Sequence, residues 1–212
     1  MTYKTKEFYN KIYKNSTDFV FGNPEKELMR LLRRKEPKIL KKAIDVGCGD
    51  GRNAIFLAKR GYSVTCIDNS IEALKKIENR LKGTRIRRKL KLINRNLKQF
   101  YLEKEHYDLI MCIRTFHEIG KKTTLNIIRQ MQHLTRPRGI NYLAFFIHRK
   151  GTYMKKDCYY PDKTEILKEY SKWRIVLNEN ALETHNHYLP ESSTRKIKHK
   201  HYIGHLIFKK PN

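Results

Sequence analysis

Residues 44–70, IDVGCGDGRNAIFLAKRGYSVTCIDNS, decide how this chain is read. A short apolar run ends in Asp45-Val46-Gly47-Cys48-Gly49-Asp50-Gly51, a helix-like run follows, and a β-branched run closes on Asp68. Glycines at the end of a strand let the chain turn sharply and bring its backbone close to a ligand. An acid at the end of the next strand accepts hydrogen bonds from ribose hydroxyls. The stretch is therefore read as a nucleotide site.

Two details argue against a dinucleotide. The third glycine comes one residue early, giving G-x-G-x-G, and Asp45 sets a negative charge where a pyrophosphate would approach. A cofactor carrying an ammonium and a sulfonium in place of phosphates is attracted by the same carboxylate. S-adenosylmethionine meets that requirement and NAD does not.

Working outward, strands and helices alternate. Lys41–Val46 reads as a buried strand, Asn53–Arg60 as a helix stopped by Gly61, and Tyr62–Asp68 as a second strand. Ser70 caps a helix reaching Lys82. Leu90–Asn96, Tyr107–Ile113 and Ile140–Ile147 supply three more strands. A helix over Thr123–Leu134 precedes the breaker Arg136-Pro137-Arg138-Gly139. Such alternation requires a mostly parallel sheet covered on both faces. After His148 the pattern changes to a short helix over Lys163–Tyr170, a strand over Trp173–Leu177, a polar stretch, and a last strand over His201–Phe208. The expected ending is an antiparallel pair at the sheet edge. The chain reads as one domain over 1–212: a helical cap or lid over 1–35, with a loop at Asn15–Pro24, a cofactor-binding core over 39–150, and edge and acceptor-side elements over 151–212.

Composition narrows the class. With 212 residues, 39% of them hydrophobic, the chain can bury one α/β core. Lys and Arg outnumber Asp and Glu by 47 to 21, a formal charge of +26, which attracts anions at long range. Cys48, Cys66, Cys112 and Cys158 form no C-x-x-C pair, and the first three lie in apolar runs as small core residues. A disulfide framework and a zinc knuckle are not expected. No apolar run is long enough to span a membrane, and the N-terminus lacks the apolar centre of a signal peptide. The expectation is a cytoplasmic protein without membrane contact; the sequence is silent on oligomeric state.

At this point the chain resembles a known family. D-V-G-C-G-D-G with C-I-D-N-S downstream is similar to the cofactor motif of class I S-adenosylmethionine-dependent methyltransferases. Tyr107-Asp108-Leu109-Ile110 resembles that family's fourth-strand motif, and residues 134–139, LTRPRG, resemble the turn that precedes its fifth strand. GCGDGRN, AKRGY over 58–62 and the tail motifs YSKW, Asn178-Glu179 and Glu183-Thr184-His185 resemble the tellurite-resistance (TehB-like) branch of small-molecule methyltransferases. The resemblance covers most of residues 7–210. It implies a Rossmann-like, doubly wound α/β fold: a seven-stranded sheet, mostly parallel, with an antiparallel last strand and helices on both faces. It also implies S-adenosylmethionine as cofactor, with Asp45, Gly47 and Gly49 around the methionine part and Asp68 on the ribose. Asn96 stands where many relatives have an acid near the adenine. Cys48, Arg52, Asn53, Asn69, Leu97 and Ile113 complete the cofactor contacts that the resemblance implies.

Methyl transfer from a sulfonium is an in-line displacement that needs proximity, orientation and a deprotonated nucleophile. No metal is required, and no metal ligands are assigned. The acceptor is expected beyond the carboxyl ends of the strands, near Arg114–Glu118 and His148-Arg149. By the resemblance, His185 is the tail residue expected to contact the acceptor or handle its proton, with His117 as a second candidate. Asn186 stands where relatives carry an arginine, which leaves Arg195 as the nearest downstream arginine. His185, His187, His199, His201 and His205 read as residues of an edge hairpin, with a metal cluster as the alternative. The basic run KGTRIRRKLK over 82–91 lacks the interleaved aromatics that single-stranded nucleic acid favours and reads as a solvated loop at the rim opposite the cofactor. Tyr9, Tyr13 and Phe19 are read either as a lid or as packing on the sheet. The leading expectation is methyl transfer to a small anionic, thiol or metalloid acceptor such as tellurite or selenite, drawn in by the basic side chains. The alternative is an RNA methyltransferase docking its substrate on the basic surface.

Overall fold

The computed structural model describes residues 3–33, 41–99, 101, 106–189 and 192–212; side chains of residues 3–5, 187–188 and 192–194 lie outside that description. The expected junction between cap and core, residues 36–39, also lies outside it. The described strands form one seven-stranded sheet of order β3-β2-β1-β4-β5-β7-β6. β1 (Lys42–Val46), β2 (Ser63–Asp68), β3 (Leu90–Asn94), β4 (Tyr107–Ile113) and β5 (Thr135–Phe146) run parallel. β7 (Ser192–Lys209) lies antiparallel between β5 and β6 (Arg174–Leu189). This is the expected Rossmann-like fold.

Period-two alternation sends successive side chains to opposite faces. Ala43, Val64, Leu109, Met111, Tyr142 and Ala144 pack under α3 (Arg52–Lys59) and α4 (Ile71–Leu81). Ile44, Val46, Ile110, Cys112, Leu143 and Phe145 pack under α5 (Gly120–Leu134) and α6 (Lys163–Glu169). Ser70 caps α4 as expected, its hydroxyl accepting from the Ala73 amide at 3.1 Å. Cys48, Cys66 and Cys112 are buried. The N-terminal α1 (Tyr3–Asn15) and α2 (Lys26–Leu31) cover the carboxyl ends of the strands and the α3 face; α1 packs Ile12 and Tyr13 against Val20 and Ala73.

Two boundaries differ from the sequence reading. The breaker at 136–139 lies inside β5, because a register shift opposite Tyr107–Leu109 and the left-handed φ of Arg138 (65°) absorb the irregularity without ending the strand. The closing hairpin is also far longer than expected. The residues from Asn178 onward continue β6 because each pairs with β7, and from Leu182 that pairing runs past the last β5 partner, for instance His185 opposite His199 and Glu183 opposite His201.

A fully buried polar chain ties the sheet to α6. Thr135 Oγ1 donates to Asn141 Oδ1 at 2.6 Å, and Asn141 Nδ2 donates to Tyr170 Oη at 2.9 Å. Tyr170 in turn stacks on Phe208 with centroids 4.0 Å apart. Tyr170→Phe keeps the stack and strands the Asn141 amide. Urea denaturation should show a loss of about 1–3 kcal/mol; an unchanged midpoint would refute this role for the hydroxyl.

Candidate functional site

The cofactor-side turn follows from β1. Gly47 (φ 74°) and Gly49 (φ 54°) both take left-handed backbone. A Cβ on Gly47 would lie 2.2 Å from Thr115 Oγ1, and one on Gly49 would lie 2.6 Å from the Tyr13 hydroxyl. Glycine here lets the β4 loop and α1 close on the turn from both sides. Asp68 fastens the turn to β2: one carboxylate oxygen accepts from the Gly49 amide and the other from the Ser70 amide, each at 2.8 Å. Burial pushes its carboxyl up against these bonds.

Asp45 stands behind the turn, 2% exposed, and its Oδ2 has no hydrogen-bond partner. Burial raises this carboxyl to about 7, with Arg52 pulling the other way. A buried, unsatisfied carboxylate oxygen facing a cleft is a group poised for a cation.

That cleft is one cavity lined by every cofactor-side residue expected from the sequence: Asp45, Gly47, Cys48, Gly49, Arg52, Asn53, Asp68, Asn69, Asn96, Leu97 and Ile113. Their roles within it divide. Arg52 binds Glu25 and the carbonyls of Phe21 and Asn23, and Asn53 Oδ1 accepts from the Glu25 amide at 2.9 Å. These two therefore hold the N-terminal segment in place. Asn96 Oδ1 already accepts from the Lys98 amide at 3.0 Å, which leaves one of its lone pairs for an adenine amino group.

The far end of the cavity is lined by His117, Phe146, Tyr153, Lys155, His185 and His201. Glu118 gathers three groups there: Tyr9 Oη donates at 2.9 Å, Lys155 Nζ at 3.0 Å, and His117 Nε2 lies at 3.2 Å. Burial pushes the Glu118 carboxyl up, but His117 and Lys155 outweigh it and hold it at about 2. His117 is thus partnered by Glu118 and packs edge-on against Phe146. His201 stacks on Phe146 at 4.2 Å, lies 3.0 Å from His199 between their Nε2 atoms, and has His185 at 5.2 Å between rings. Arg195 is not brought to this cavity; it is exposed on β7, because the hairpin carries it outward past the sheet edge.

Arg114, at the end of β4, lies beside this wall. Its backbone is left-handed (φ 57°), and its guanidinium donates to Glu25 at 3.1 Å and Glu183 at 2.7 Å. Glu183 also faces His185 (3.3 Å) and His205 (3.5 Å). Burial alone would raise the Glu183 carboxyl, but both histidines and Arg114 hold it well below the usual range. Glu25, Glu27 and His205 bring possible ligand atoms within 4.8 Å of one another. Two guanidiniums occupy Glu25, and the Tyr142 hydroxyl lies 2.9 Å from His205 Nδ1, so the group is an internal charge cluster. Sequence reasoning missed Glu25 and the bridging use of Arg114. Glu25 precedes Arg52 by 27 residues with no motif linking them.

The chain is similar to known proteins in sequence and in fold. Residues 43–139 match the family model described as "Methyltransferase domain". The chain is 27% identical over 146 residues to "Probable S-adenosyl-L-methionine-dependent methyltransferase TehB" of Haemophilus influenzae strain 10810, covering 68% of this chain and 50% of that protein. The match thus spans about half the length of the curated relative. The crystal structure of TehB from Haemophilus influenzae superposes with a TM-score of 0.71 at 18% identity, covering 97% of this chain and 67% of the other. Magnesium protoporphyrin IX methyltransferase from Synechocystis PCC 6803, solved with bound SAM, superposes with a TM-score of 0.55 at 18% identity over 79% of this chain and 69% of the other.

The Asp45 carboxyl, at about 7, is mostly neutral below that pH, and only its ionised form pairs with an ammonium. Affinity for S-adenosylmethionine should therefore rise about tenfold between pH 5.5 and 7. Titration calorimetry should find the rise in the wild type and a flat, weaker profile in Asp45→Asn.

Proposed function

We infer that this chain, which belongs to the class I S-adenosylmethionine-dependent methyltransferases on their TehB-like branch, moves a methyl group onto a small acceptor held between the β4 loop and the β6–β7 hairpin. The observation that carries the reading is the far end of the cavity, where His185, His201, Phe146, Tyr153 and Lys155 line a space continuous with the glycine turn. Such a space suits a thiol or a metalloid oxyanion of the tellurite or selenite kind.

In this reading the residues of the glycine turn fit the cofactor by their chemistry. The unsatisfied Asp45 oxygen would take the ammonium, and Asp68, with acceptor capacity beyond its backbone bonds, would take ribose hydroxyls. Asn96 and Leu97 would serve the adenine. When bound, S-adenosylmethionine supplies an electrophilic methyl on a sulfonium, and the protein's task is to orient and deprotonate the acceptor. His185 is the residue proposed to take that proton, because Glu183 lies at 3.3 Å to stabilise the imidazolium that forms. His117 is proposed to act with Glu118 in shaping the wall. Arg195 is not proposed for either task.

A radiolabelled-methyl screen of tellurite, selenite, small thiols and RNA tests the acceptor class. Label should appear on a small acceptor; label on RNA alone would overturn the reading. Asp68→Ala should abolish cofactor binding. His185→Gln should lower kcat about 100-fold while the cofactor Kd stays within about twofold, and equal losses in both would deny His185 a role in the chemistry.

A further inference from the structure

The charge of this protein is divided between the two ends of its sheet. At the carboxyl ends of the parallel strands, around the cavity, cations face carboxylates: Arg52 and Arg114 with Glu25, Lys155 with Glu118, and Lys76 with Asp50. The amino ends of the same strands are different. Lys82, Arg85, Arg88, Lys89 and Lys91 crowd the turn that leads into β3. Arg138 near the start of β5 and Arg174 at the start of β6 add exposed cations at the same rim. The described acids there are already engaged, Glu78 by Arg87 at 2.6 Å and Asp108 by Arg136 at 3.1 Å. Among the described residues no ion pair joins Arg85, Arg88, Lys89 or Lys91 to a carboxylate.

The shape of this rim favours a phosphate backbone. Lys42, Arg88, Lys89 and Lys91 edge a shallow groove floored by the starts of β2 and β3. The apolar residues of the run turn inward, Leu90 into the core and Ile86 against it. That leaves the run no apolar anchor for a lipid bilayer or for the apolar centre of a protein interface. Tyr107, the aromatic residue lining the groove, is buried and offers no ring face for stacking, so recognition here is of charge and not of bases.

We propose that the rim formed by Arg85, Arg88, Lys89 and Lys91 is a docking surface for RNA, bound through its phosphates without sequence preference. The rim stands one strand length, about 15–20 Å, from the carboxyl ends of the sheet. RNA held there is a tether and not the methyl acceptor. The inference is independent of which small acceptor is used. The exposed cations of this rim lie behind the cavity and not at its mouth.

The test is fluorescence anisotropy with a labelled mixed-sequence RNA of about 20 nucleotides, titrated at several salt concentrations. With about four phosphates engaged, log affinity should fall against log salt with a slope near −3; in R88E/K89E/K91E it should fall to about −1. K122E/K150E/K156E changes the total charge equally on exposed lysines outside the rim, and its slope should match the wild type. Calorimetric binding of S-adenosylmethionine should be unaltered in both variants, which certifies their folding. No binding at low salt, equal losses in both variants, or binding confined to phosphatidylglycerol vesicles would overturn the proposal. Transfer of label to the bound RNA would overturn it as well.

Discussion

The guanidinium of Arg114 holds the site together. It is shared by Glu25, from the segment ahead of α2, and Glu183, from the far half of β6. One side chain at the end of a central strand thereby joins the N-terminal cover to the C-terminal hairpin across the cavity. Arg52 reinforces the first connection and the histidine pair His185 and His205 the second. Removing one member of such a buried group leaves uncompensated charge, which is far more damaging than losing a surface pair. The walls of the cavity are therefore interdependent even though they come from opposite ends of the chain.

The cofactor half of this arrangement was legible in the sequence because it is local. A strand, a glycine turn and a helix occupy consecutive residues, and the acid at the end of the next strand follows within one α/β unit. The near-continuous apolar runs of β1, β2 and β4 marked the core in the same way, since a strand covered by helices on both faces is apolar on both. The half proposed for the acceptor was only partly legible. His185 carried a resemblance, but its neighbours His199 and His201 meet it through cross-strand pairing, and pairing past the sheet edge leaves no apolar signature. Glu25 and Arg114 meet only in three dimensions, and Arg195 followed from proximity in sequence, which the twist and length of the hairpin made irrelevant.

The same contrast governs charge. Net charge is a property of the whole chain and says nothing about sidedness. Here Glu25, Glu118 and Glu183 face cations around the cavity, whereas among the described residues Arg85, Arg88, Lys89 and Lys91 meet no carboxylate at the reverse rim. A single number, +26, thus conceals two surfaces of different chemistry.

The strand order has a consequence for synthesis. β7 separates β6 from the rest of the sheet, so β6 has no partner until a strand made after it has been inserted beside β5. On the ribosome the glycine turn and its five parallel strands can assemble first, while the wall carrying His185 and His201 waits for the final insertion. Non-local strand pairing of this kind is slow. A chain truncated within β7 would retain the glycine turn and the five parallel strands while β6, which carries His185, would lack its partner.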